Sequence, residues 1–213
     1  MIITTQKPLD EVLDFISSYK NVLVVGCDGC TQPPRGLKEA ENLAQLLELG
    51  GKERNKDFSF KTTTTAKQCD YYVTESALKS ALDKADAVLS LACGIGVQTL
   101  AELSPGLPVF PAQNTHFRGA ELREQGILEV RCGGCGECLL AATGGICPVV
   151  RCTKSLLNGA CGGAKEGKCE LDPERDCGWN LIYEQLEKLN RLDMLKEYRP
   201  PRDYQLTGWR ITT

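Results

Sequence analysis

The spacing of apolar positions changes along the chain, and the change divides it. Through residue 130, continuous apolar runs alternate with stretches of helical spacing. "NVLVVGC" (Asn21–Cys27) is a short apolar run rich in β-branched valine that closes on Gly26 and Cys27, the pattern of a strand covered on both faces. "GLKEAENLAQLLELGG" (36–51) has apolar residues three and four apart and predicts a helix stopped by Gly50 and Gly51. "FSFKTTTT" predicts a second strand, and "TESALKSALDKA" (74–85) a helix with Thr74 as its N-cap. "DAVLSLACG" (86–94) predicts a strand, "VQTLAELS" a short helix and "LPVFPAQN" (107–114) a last strand. Such alternation predicts an α/β class with a Rossmann-like, doubly wound parallel sheet over residues 1–130.

Beyond residue 130 the period fades. Nine of the 47 residues from 131 to 177 are glycine and eight are cysteine, with little apolar patterning. Such a block builds no ordinary core, and metal–thiolate bonds are the expected substitute. This predicts a cysteine-rich, ferredoxin-like cluster-binding module. Residues 178–213 return to helix: "NLIYEQLEKLNRLDMLKEYR" (180–199) sets Ile182, Leu186, Leu189 and Leu192 on one face, and Pro200 and Pro201 stop it. The tail beyond carries Tyr204 and Trp209, as a strap across its own domain or as anchors for a partner subunit.

Composition narrows the function classes. The 213 residues are 42% hydrophobic with a net charge of −3, as in ordinary globular proteins. No basic excess marks a nucleic-acid or anionic-membrane surface. No apolar run is long enough to span a bilayer, and the N-terminus lacks the basic and apolar regions of a signal peptide. A cytoplasmic protein is expected. Twelve cysteines then point to metal rather than disulfides, because that compartment is reducing.

The thiols fall into three candidate sites. Cys27 and Cys30 follow the first predicted strand and Cys93 follows the strand at 86–94; Cys69 precedes a helix. Ligands of an open parallel sheet bind beyond its strands' carboxyl ends, so these four form site 1. The alternatives there are a redox-active dithiol at "CDGC", or Cys69 and Cys93 as small buried hydrophobes. "CGGCGEC" is C-x2-C-x2-C, the opening of a bacterial ferredoxin motif, and Cys147 precedes Pro148 as a ferredoxin's fourth cysteine precedes its proline. The eight-residue gap between Cys138 and Cys147 departs from that motif. By ferredoxin logic Cys132, Cys135 and Cys138 share site 2 with a distant fourth, Cys177. Cys147, Cys152, Cys161 and Cys169 then form site 3. Two or three 4Fe–4S clusters are expected, with zinc open at one site.

Acid–base machinery is sparse. His116 is the single histidine and reads as structural rather than catalytic; Asp28 reads as a turn residue. "GCDGC" and "ACGIGVQT" stand where phosphate loops stand, but neither has the glycine spacing.

"CPVVRCTKSLLNGACGGAKEGKCEL" followed by "DCGWNLIYEQL" resembles the cysteine-rich signature of the zinc- or iron–sulfur-binding C-terminal family associated with methylenetetrahydrofolate reductase. "GCDGCT" and "YRPPRDY" extend the resemblance along the chain. Ala160 departs from the family's "NGPCGG" and leaves the ligands intact. The resemblance implies the small partner subunit of that oxidoreductase in acetogenic bacteria, on the methyl branch of acetyl-CoA synthesis. It implies a TIM-barrel large subunit that holds FMN and the folate and does the chemistry, so no catalytic residue is expected here. The small subunit would carry the twelve cysteines as metal ligands. It would pass electrons to the flavin from a ferredoxin or a hydrogenase- or heterodisulfide-reductase-like donor. A zinc-stabilised scaffold is the alternative, and a nucleotide-binding enzyme built on the first domain a weaker one.

Overall fold

Residues 22–25 explain the first half of the chain. Val22 and Val24 are buried in one cluster with Val12, Ile16, Leu47 and Leu89. Leu23 and Val25 are buried in another with Leu78, Val88 and Leu100. A strand apolar on both faces needs helices on both, and each such side chain contributes about 1.5–3 kcal/mol on burial.

The computed structural model describes residues 1–202, apart from the side chains of Phe117 and Arg123; the expected docking tail, with Tyr204 and Trp209, lies outside the described residues. The chain falls into two units, Met1–His116 and Phe117–Thr213.

Unit 1 runs β1 (Ile2–Gln6), α1 (Leu9–Ile16), β2 (Asn21–Cys27), β3 (Thr31–Gln32), α2 (Leu37–Glu53), β4 (Ser59–Thr65), α3 (Tyr71–Leu82), β5 (Ala87–Ser90), α4 (Gly94–Leu103) and β6 (Val109–Pro111). The main sheet has the order β4-β2-β5-β6, and all its pairings are parallel. Helices α1 and α2 cover the face of Val22 and Val24, and α3 and α4 cover the other. The α/β class and parallel sheet are therefore as expected. The sheet winds outward from its centre, to β4 on one side of β2 and to β6 beyond β5. The switch point lies between β2 and β5. β1 and the short β3 pair in parallel outside this sheet; they and α1 are absent from the sequence expectations, although Leu9, Val12, Leu13 and Ile16 stand at helical spacing.

Unit 2 takes most of β7 (Gln113–Leu122), which pairs antiparallel with β8 (Ile127–Cys132). After it come a short α5 (Pro148–Arg151), the antiparallel pair β9 (Lys168–Cys169) and β10 (Asp172–Asp176), and α6 (Gly178–Lys188). The expectation that the cysteine block lacks a core is corrected: α6 brings one. Trp179, Ile182 and Leu186 are buried against Ile146, Leu156, Leu192 and Leu195, and Cys152 and Cys177 pack there too.

Three helix boundaries differ from expectation. α2 runs through Gly50 and Gly51, because there the glycines serve close packing rather than termination. A Cβ on Gly51 would lie 2.5 Å from Phe58 Cδ2, and one on Gly50 2.8 Å from Leu13 Cδ1. α3 starts at Tyr71, with Asp70 as its N-cap accepting from the Val73 N–H. Thr74 lies inside that helix, its hydroxyl donating to the Lys67 and Gln68 carbonyls. The helix expected over 180–199 breaks after Lys188: Asn190 takes φ 54°, and a separate 3-10 turn spans Leu192–Lys196.

Candidate metal centres

In unit 1 the cysteines gather at the carboxyl edge of the parallel sheet. Cys27 ends β2 and is 7% exposed; Cys93 is the N-cap of α4 and is also 7% exposed. By strand alternation Cys27 shares the face of Leu23 and Val25, which α3 and α4 cover. Cys69 reaches this edge because Gln68 holds its loop. The Gln68 side chain is fully buried: its amide donates to the Val25 carbonyl (3.1 Å) and the Gly26 carbonyl (2.8 Å). Its oxygen accepts from the Ser90 hydroxyl at 2.7 Å. One side chain thus ties the Cys69 loop to β2 and β5. The first turn of α4 closes on it: a Cβ on Gly96 would lie 2.8 Å from Gln68 Cβ.

The electrostatics register the convergence. Burial pushes the Cys69 thiol up; Lys67 pulls it back, and the charges of Cys93 and Cys27 push it up again. Cys30 is exposed on the loop after β2, where its carbonyl accepts from the Ile2 N–H at 2.8 Å. The same loop folds over Cys27, since a Cβ on Gly29 would lie 3.3 Å from the Cys27 sulfur. Asp28 accepts from the Thr64 hydroxyl at 2.8 Å, and His116 pairs through Nε2 with the Thr5 hydroxyl at 2.9 Å. Both contacts are structural in kind.

In unit 2 the C-x2-C-x2-C loop leaves the end of β8. Gly134 and Gly136 take left-handed φ of 65° and 83°, which lets the backbone curl around the thiols. The Gly134 N–H donates to the Cys132 sulfur at 3.4 Å, and the Gly163 N–H to the Cys161 sulfur at 3.4 Å. Arg202 clamps the first loop by donating to the Glu137 carbonyl at 2.7 Å. A cavity of about 470 Å³ opens between this loop and α5, with Cys135, Cys152, Arg175 and Arg202 on its wall. Among the described residues the buried Arg202 Nε has no hydrogen-bond partner.

The remaining thiols lie around α5, α6 and the β9–β10 pair. Cys147 is the N-cap of α5, and Cys177 the N-cap of α6. The start of α6 presses on the end of α5: a Cβ on Gly178 would lie 2.8 Å from the Cys152 nitrogen. Cys152 and Cys177 therefore share a corner. Cys169 lies 3.3 Å from the Thr153 hydroxyl, and that hydrogen bond, with the Leu171 N–H, holds its thiol below the ordinary range. Cys161 donates to Glu170 at 3.6 Å, and Glu170 is paired with Lys154.

No three His, Cys, Asp or Glu side chains among the described residues form a group able to hold a metal ion. The donors are soft thiols, two of them with an amide N–H on sulfur, and Arg175 and Arg202 stand on the cavity wall with Cys135 and Cys152. Gln68, Arg175, Arg202 and Thr153 escape sequence reasoning. No local spacing marks a glutamine or an arginine whose partners are remote backbone carbonyls.

Residues 110–205 match the family model described as methylene-tetrahydrofolate reductase C terminal. Searches of the curated proteins and of the solved structures each return no match. Among the described residues no helix is long and apolar enough to cross a membrane. The matched segment, residues 110–205, carries the eight-cysteine block and is thus similar to the methylene-tetrahydrofolate reductase C-terminal family, the one that the cysteine signature resembles.

Proposed function

We propose that the chain is the electron-transfer subunit of a methylene-tetrahydrofolate reductase, with the flavin and folate chemistry in a TIM-barrel partner. The family match over residues 110–205 supports the enzyme, and the eight-cysteine block, with Cys135 and Cys152 on the wall of one cavity, supports the role. Converting the methylene to the methyl group takes two electrons and two protons. The electrons would come from a ferredoxin-type or heterodisulfide-reductase-like donor and reach the partner's FMN, which delivers a hydride equivalent.

Cys132, Cys135 and Cys138 would hold one 4Fe–4S group; in place of the Cys177 expected from ferredoxin spacing, Cys147, one turn of helix from Val150 on the cavity wall, is our choice for its fourth ligand, and Cys177 moves to the other set. Cys152, Cys161, Cys169 and Cys177 would hold another, because Cys177 and Cys152 share the α5–α6 corner. Such groups supply one-electron transfer when bound. The chain's own residues hold the thiolates in place: the Gly134 and Gly163 amides donate to sulfur, and Arg175 and Arg202 bring positive charge toward a thiolate-rich, negatively charged site.

Metal analysis of the anaerobically purified full chain tests this. About eight iron atoms per chain are expected from unit 2, with absorbance near about 400 nm that bleaches on reduction. A Cys132→Ser, Cys135→Ser variant should lose about four of them. Iron near zero with stoichiometric zinc would overturn electron transfer and leave a zinc-stabilised scaffold.

A further inference from the structure

Past the end of α6 and the 3-10 turn at Leu192–Lys196, the chain buries a charge. Arg199 is 9% exposed. Among the described residues its guanidinium makes one hydrogen bond, from Nη2 to the Met194 carbonyl at 3.4 Å, and no ion pair. Buried charges are ordinarily paired, because a lone one has given up its water for nothing. A guanidinium carries five N–H donors, and a single long bond to a carbonyl leaves both the charge and most of the donors without a counterpart.

The arginine is also held still. Its backbone N–H donates to the Asn158 side-chain oxygen at 2.7 Å, and its carbonyl accepts from the Asn158 side-chain amide at 2.8 Å. Pro200 and Pro201 follow, and a proline restricts both its own φ and the residue before it. An anchored side chain pays less ordering entropy when something binds it.

A cavity of about 200 Å³ opens beside it, with Asn158, Trp179, Asn180, Tyr183, Leu195 and Arg199 on its wall. That is the share of about seven water molecules. Arg199 is the one charged side chain on this wall. Trp179 already spends its indole N–H on the Leu156 carbonyl, so its ring offers the cavity apolar surface. The Asn180 amide and the Tyr183 hydroxyl stand on the same wall as further donors.

From this fixed, uncompensated guanidinium on the wall of an aromatic cavity, we infer that unit 2 carries a binding site for a small organic carboxylate, separate from its thiols. One positive charge balances one monoanion, whereas a phosphate dianion would bring more charge than the wall offsets. The planar fork of an arginine takes a carboxylate through two parallel N–H···O bonds. Trp179, Tyr183 and Leu195 suit the carbon skeleton that an organic acid carries and an inorganic anion lacks. The inference rests on neither metal nor electron transfer, so it and the proposed function fail separately.

Titration calorimetry of the anaerobically purified full chain tests it. Benzoate is the probe, and benzamide, of the same shape without the charge, is its control. Benzoate should bind at about one equivalent per chain with Kd of about 1 mM or tighter. Benzamide should bind at least about tenfold more weakly, and Arg199→Gln should weaken benzoate by at least about tenfold. Should that variant fail to fold, Tyr183→Ala takes its place, at a side chain 48% exposed, and should weaken benzoate by at least about threefold. No benzoate binding up to about 10 mM would overturn the inference outright. Equal affinity for benzamide would overturn recognition of the charge, and tighter binding of sulfate or phosphate would overturn the ligand class. Benzoate affinity unchanged in a folded Arg199→Gln chain, or in Tyr183→Ala where that variant stands in, would overturn the site. A chain without iron that still binds benzoate would refute electron transfer and leave this inference standing.

Discussion

Replacing Gln68 with alanine removes the contact on which the sheet edge of unit 1 depends. The side chain is fully buried and makes three hydrogen bonds, of 3.1, 2.8 and 2.7 Å, to Val25, Gly26 and Ser90. Two of those partners keep another bond: the Val25 carbonyl accepts from the Leu91 N–H, and the Ser90 hydroxyl from the Ala92 N–H. The cost per group therefore sits near the lower end, about 1 kcal/mol each. The emptied volume adds about 1–2 kcal/mol. A destabilisation of about 4 kcal/mol follows, a large share of the roughly 5–15 kcal/mol that holds a typical domain. Hydrogen exchange of the full chain reads it locally. Amides of β2 and β5 that exchange through opening of unit 1 should do so about a thousandfold faster, at about 1.4 kcal/mol per factor of ten. Peptides from unit 2 serve as the internal reference. Gln68→Met keeps most of the volume and should retain the polar part, about 3 kcal/mol. Acceleration below about threefold in both variants would show that the clamp does not hold the edge, and the placement of Cys69 would lose its basis.

Two further outcomes follow from particular contacts. Asp86 accepts from the Asn21 N–H at 2.8 Å and the Asn21 side-chain amide at 3.0 Å, and those bonds hold its carboxyl below the usual range. A carboxyl depressed in the folded state adds stability that is present above its unfolded pKa of about 4 and is lost as pH falls through the folded value. The gap in melting temperature between the native chain and Asp86→Asn should therefore be widest near neutrality and shrink below about pH 4; a constant gap down to about pH 2 would contradict this. Trp179 is buried, and its indole N–H donates to the Leu156 carbonyl at 3.0 Å. Trp179→Phe should cost unit 2 about 1 kcal/mol and Trp179→Ala about 3–5 kcal/mol, read as faster exchange of α6 amides; equal effects would remove the hydrogen bond from the account.

The sequence by itself determines the parts of this protein whose cause is local. Strand β2 is legible because Val22–Val25 must be buried on both faces, and the parallel sheet follows from alternation with helices. The C-x2-C-x2-C loop and the long cysteine signature are legible because spacing along the chain is the signal, and they suffice to indicate the family. Helix ends are less legible, since Gly50 and Gly51 act through Phe58 and Leu13 rather than through the backbone they interrupt. The α6 core of unit 2 is missed for a related reason: Ile146 and Leu156 have no period of their own and are apolar contacts only once Trp179 arrives.

Which thiols meet is decided by tertiary structure alone. Cys27, Cys69 and Cys93 are scattered over 67 residues, and strand order brings their backbone to one edge. A buried glutamine with carbonyl partners 42 and 43 residues away then fixes the third of them. Chain spacing carries no trace of that, because a hydrogen bond to a remote carbonyl imposes no pattern on the residues between.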